Sequence, residues 1–169
     1  TGHTLSADWE RMTALSTTIQ PPLSRSDIDR DDQRRLVPGA LEALHAESTS
    51  RAILLHDGRF AVTPQGLALW SPEAIAGAVT VAYLGRSTEP DDGGERTSFL
   101  LQTVETAPDV PGIEWGTLRD IATTLSARDA GLATEASALN NWHRSSAFCP
   151  RCGSATEVTK AGWARECAA

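Results

Sequence analysis

Phe148-Cys149-Pro150-Arg151-Cys152-Gly153 is the stretch whose residue types and spacing are suited to chemistry. Two cysteines separated by two residues can turn both thiolates toward one ion, and the glycine after them supplies a backbone free to bend beneath it. Cys167 follows after fourteen intervening residues, within the range of a C-x2-C…C-x2-C ribbon. The fourth ligand of such a ribbon is expected just past Ala169. Zn2+ is the expected ion because thiolate-rich tetrahedral sites suit it, with an iron centre as the alternative. A site closed by four protein ligands leaves no open position for a substrate. Zn2+ at Cys149, Cys152 and Cys167 is therefore expected to be structural.

The remaining candidates each carry a plainer reading. His143, six residues before Cys149, could complete the ligand set, but a helix-end histidine satisfied locally is the better expectation. His45-Ala46-Glu47 followed by C-x2-C has the outline of a zinc-dependent deaminase, in which the glutamate shuttles protons. Phe148 stands where that motif has proline, and the two halves are about a hundred residues apart. The acidic run Asp27 to Asp32 reads as a solvated helix start rather than a paired-carboxylate site. Thr1 could in principle act as an N-terminal nucleophile, but a trimmed start is the simpler reading, and His3 and His56 have no partner pattern. Trp142 and Trp163 are expected to pack, one over a helix end and the other over the ribbon hairpin. With no G-x-S-x-G, P-loop or G-x-G-x-x-G, no catalytic and no cofactor-binding residue is assigned.

Around these residues the chain has the composition of a globular protein, 40% hydrophobic and 22% charged over 169 residues. No apolar run approaches the ~20 residues of a membrane span. No signal-peptide layout opens the chain, and the odd cysteine count suits a metal better than disulfides, so a cytoplasmic protein is expected. The net charge of −7 argues against non-specific phosphate binding. Arg144, Arg151 and Arg165 leave a small local opening for nucleic acid.

The elements that must position the cysteines are legible by period. Residues 1–26 read as an extended arm, ordered at Leu5, Trp9 and Leu23. Short helices are expected over 26–35 and 38–44. Asp57-Gly58 between Ala52-Leu55 and Phe60-Val62 is a hairpin signal. Strands are expected at 67–70, 79–84 and 99–104, with a short helix opening at Ser71-Pro72-Glu73 and an exposed loop at 89–95. From Trp115 the period becomes helical, giving helices over 115–125 and 127–144. The second of these would set Leu132, Ala136, Leu139 and His143 on one face. The resulting fold class is α/β (α+β): a small mixed sheet with helices, then a metal module.

Taken together, Asp129-Ala130, Ala136, Ala138-Leu139, Trp142-His143, Phe148-Cys149, Cys152-Gly153, Thr156, Gly162-Trp163, Arg165 and Cys167 resemble the NADH pyrophosphatases, the NudC-type branch of the Nudix hydrolases. Leu23-Ser24-Arg25 and Trp115 with Leu118-Arg119 are also similar to the N-terminal half of that family. The resemblance implies a degenerate Nudix-like domain over 27–145 and an incomplete zinc ribbon over 146–169. A catalytic Nudix domain is expected beyond 169. It further implies a homodimer that hydrolyses NADH or NAD to nicotinamide mononucleotide and AMP, with NAD-capped RNA as a further substrate. Mg2+ or Mn2+ would be held by clustered glutamates in an R-E-x-x-E-E helix. No two glutamates are adjacent in this chain, so it is expected to be inactive alone. Two other readings remain open: a stand-alone zinc-ribbon module that binds protein or nucleic acid, and the zinc deaminase.

Overall fold

The Asp57-Gly58 turn registers the sheet. The computed structural model describes residues 20–91 and 93–169, and in it both turn residues have positive φ (44° and 75°), as a two-residue hairpin loop requires. Strand β1 (Ser50–His56) and β2 (Arg59–Thr63) pair antiparallel, with Leu55 opposite Phe60. On its other side β1 runs parallel to β5 (Ser98–Thr103), and β5 pairs antiparallel with β4 (Val79–Arg86). Beyond β2 lie the two-residue β3 (Gly66–Leu67) and β6 (Glu114–Thr117). The order is β3-β2-β1-β5-β4, with β6 also on β2.

The unbroken apolar run Ala52–Leu55 is explained by a sheet covered on both faces. Ile53 and Leu55 join Phe60, Leu84, Phe99 and Leu101 beneath the long helix, with Leu132, Ala136 and Leu139 on the helix side. Ala52 faces the other way, with Tyr83 and Leu100, against α1 (Ala40–Ala46) and its Leu44. Leu54, Ala61 and Ala68 form a third cluster under Trp70 and Trp115.

Helix α3 (Ala127–Ser145) begins at Ser126, whose hydroxyl accepts the Asp129 N–H at 3.1 Å. Asp129, buried, accepts the Leu67 N–H at 3.1 Å and so ties the helix start to β3. Gly66 has no side chain because a Cβ there would strike that carboxylate. The expected helical face is present: Leu132, Ala136 and Leu139 are core, and His143 is half-buried at its end.

Four local expectations fail for tertiary reasons. The helix expected from Trp115 to Leu125 is instead β6 followed by the one-turn α2 (Leu118–Ile121), because Ala61 of β2 pairs with Trp115 and Phe60 with Gly116. A Thr117–Asp120 capping box starts that turn. The strand expected over 67–70 ends at Leu67, leaving Trp70 as an isolated bridge to Ala52, and turns replace the helix after Ser71. The helix expected from Ser26 gives way to an extended bridge between Asp29 and Arg86 and a 3-10 turn at Asp32–Leu36. Of the arm, Leu5 and Trp9 lie outside the described residues, as do Thr1 and His3. Pro22–Ser24 form a 3-10 turn, and Arg25 donates to the Leu125 carbonyl at 3.0 Å.

Candidate metal centre

The knuckle is a tight turn held by its own backbone. The Cys149 N–H donates to the Ser154 carbonyl at 2.7 Å, and the Gly153 N–H donates back to the Cys149 carbonyl at 2.8 Å. Gly153 has φ of 75°, the left-handed geometry that its lack of a Cβ permits. The chain then forms a hairpin of β7 (Thr156–Thr159) and β8 (Ala164–Cys167), in which Thr156 faces Cys167. That register carries the third thiol to the first two.

The Sγ atoms of Cys149, Cys152 and Cys167 all lie within 4.8 Å of one another, with 3.4 Å between Cys152 and Cys167. Zn–S bonds of about 2.3 Å in a tetrahedron put sulfurs roughly 3.8 Å apart, so both spacing and donor type fit this ion. Cys149 is half-buried and the other two are exposed. The Ser154 N–H first, then its hydroxyl and the neighbouring Cys167 and Cys149 thiols, together lower the Cys152 thiol to about 7. A thiol so tuned presents its metal-binding form near neutral pH.

Among the described residues these cysteines are the only group of three or more His, Cys, Asp and Glu gathered closely enough to hold a metal. His45 is not with them; its Nδ1 meets the Thr80 hydroxyl at 2.9 Å, away from the thiols, which removes the deaminase arrangement. His143 is not with them either. Its Nε2 lies 2.8 Å from the Gly162 carbonyl and its Nδ1 2.9 Å from the Arg165 guanidinium. Only the neutral tautomer with the proton on Nε2 satisfies both partners. Burial lowers the His143 pKa, the Gly162 carbonyl raises it, and the Arg165 charge lowers it again.

The ribbon is fixed to the sheet by groups that sequence reasoning did not connect. Lys160, Ala161 and Gly162 have successive φ values of 50°, 49° and 93°, a left-handed turn that presses Gly162 onto β4. Trp163 Nε1 then donates to the Tyr83 carbonyl at 2.6 Å, and the buried Arg35 guanidinium stacks 3.6 Å over the indole. Arg35 also donates to the Leu84 carbonyl at 3.3 Å. These side chains satisfy two carbonyls of β4, the strand that ends the sheet order. Arg165 spans the hairpin to Thr156 Oγ1 (2.7 Å) and the Thr156 carbonyl (3.0 Å). Its guanidinium is thus engaged inside the ribbon, while Arg144 lies 3.9 Å from the Asp57 carboxylate. Gly162-Trp163 was visible in sequence as part of the ribbon. Arg35 carried no signal, since its partner lies 128 positions away.

A mixed sheet with helices on both faces, continued into a three-cysteine hairpin, defines a Nudix-like domain joined to a zinc ribbon. The chain belongs to the NADH pyrophosphatase family of Nudix hydrolases. Residues 49–142, more than half of the 169, match the NADH pyrophosphatase-like rudimentary NUDIX domain, and residues 144–169 match the NADH pyrophosphatase zinc ribbon domain. No curated protein matches the chain. Among the described residues no helix is long and apolar enough to cross a membrane.

Proposed function

We propose that this chain is the non-catalytic front part of an NAD(H) diphosphatase, in which Cys149, Cys152 and Cys167 hold a structural Zn2+. The observation that carries the reading is the convergence of three thiols on a hairpin seated directly on a rudimentary Nudix sheet. The fourth ligand and the catalytic Nudix domain follow Ala169 in this proposal. That domain holds Mg2+ or Mn2+ on a glutamate cluster and cleaves the pyrophosphate of NADH or NAD, with NAD-capped RNA as a second substrate. The front part serves folding, zinc binding and dimerisation of the enzyme, which works in a reducing compartment, the cytoplasm.

The absence of any adjacent glutamate pair supports the silence of this portion, since phosphate-bound Mg2+ needs clustered carboxylates. The test is an NADH pyrophosphatase assay with Mg2+ on the 169-residue chain, beside a version extended through an R-E-x-x-E-E segment. Turnover is expected only from the extended protein. Hydrolysis that co-purifies with the short chain and scales with its concentration would overturn the proposal.

A further inference from the structure

The two exposed thiols of the metal centre sit on different segments. Cys152 closes the knuckle and Cys167 ends β8, with their sulfurs 3.4 Å apart. Cys149 is the half-buried member, and both its N–H and its carbonyl are committed to the turn. A disulfide brings sulfurs to about 2.05 Å, so bonding Cys152 to Cys167 asks for a relative approach of roughly 1.4 Å between two exposed side chains. Such a bond would join the same two segments that a shared metal joins.

We propose that Cys152 and Cys167 form a reversible disulfide in the presence of a peroxide, expelling the metal and replacing it as the link between the knuckle and β8. The Cys152 thiolate attacks one peroxide oxygen; the S–O bond forms, the O–O bond breaks, and hydroxide leaves to become water on taking a proton. The Cys167 sulfur then attacks the sulfenic sulfur; the S–S bond forms, the S–O bond breaks, and the hydroxyl leaves with the Cys167 proton as a second water. Two thiols lose two electrons and one peroxide gains them. Cys149 remains as a single thiol, too few ligands to retain Zn2+.

The contacts that seat the ribbon on the sheet use no sulfur: Trp163 on the Tyr83 carbonyl, Arg35 over the indole, and His143 between Gly162 and Arg165. The oxidised ribbon therefore stays seated. The metal and the disulfide are alternative links for one hairpin. The inference rests on the zinc reading only for what is displaced, because the bond is a property of the chain with or without metal.

The experiment treats zinc-loaded and chelator-stripped chain with one equivalent of hydrogen peroxide. It follows zinc with a chromogenic chelator and maps the thiols by non-reducing peptide mass spectrometry. The expected product is a monomer about 2 Da lighter with Cys152 bonded to Cys167, zinc released in step, and full reversal by dithiothreitol. Cys149→Ser should form the same Cys152–Cys167 bond as the chelator-stripped parent, reversed by dithiothreitol. Tryptophan emission of the oxidised chain should match the zinc form rather than the reduced, stripped form. A bond that includes Cys149, a bond between chains, or sulfinic acid without any bond would each overturn the inference. A chain that binds no zinc yet forms the bond sustains it while removing the metal reading.

Discussion

His143 is a residue whose protonation state the fold dictates. A second proton on Nδ1 would face the Arg165 guanidinium, so the cation is disfavoured in the folded chain beyond the effect of burial. With the folded pKa below the ordinary value of about 6.5, the unfolded chain takes up its proton first as pH falls. The stability from this contact is complete above that value and is lost as pH drops through the window beneath it. We expect the urea midpoint of metal-free chain to fall more steeply from neutral to mildly acid pH than that of His143→Gln. Parallel curves would show that the histidine carries no such linkage. Gly162 makes a second residue-scale case, because a Cβ there would lie 2.5 Å from the Val81 carbonyl at a φ of +93°. Gly162→Ala should cost about 2–3 kcal/mol in chemical unfolding, from backbone strain together with overpacking against β4. An unchanged midpoint would mean that the ribbon does not press on that strand.

At the scale of elements, the ribbon hairpin is part of the sheet's architecture rather than a bead on a linker. Trp163→Ala removes a half-buried indole, its hydrogen bond to Tyr83 and the surface beneath Arg35. A loss of about 3 kcal/mol is expected. Hydrogen exchange should quicken along β4 as well as in the hairpin; if it quickens in the hairpin alone, the two fold independently. Elements whose signals are local were legible in the sequence: the Asp57-Gly58 hairpin, the apolar face of α3, and the knuckle itself. Those decided by distant partners were not. The segment from Trp115 has helical spacing, but an available edge on β2 draws Glu114–Thr117 into the sheet. The acids from Asp29 to Asp32 look like a helix start, yet Asp29 is taken by Arg86 and Arg96, and Asp31 by the Tyr83 hydroxyl. The three thiols were legible because short spacing fixes a knuckle. The Arg35–Trp163 stack was not, because neither residue's neighbours hint at the other.

For the whole molecule, the rudimentary Nudix sheet and the ribbon form one continuous structure, joined through Trp163, Tyr83 and Arg35. The apparent zinc-binding energies of about 10–16 kcal/mol known for finger peptides indicate how far such a centre can contribute to folding. Here the contribution adds to a hairpin already seated on β4. Stripping the metal should therefore loosen the knuckle and lower the thermal midpoint without unfolding the sheet beneath it. The most direct check on this account is native mass spectrometry of the 169-residue chain, purified without chelator, beside its Cys149→Ser/Cys152→Ser/Cys167→Ser form. The account predicts one zinc per parent chain and none on the triple variant. A parent chain free of metal, or equal metal on both, would contradict it.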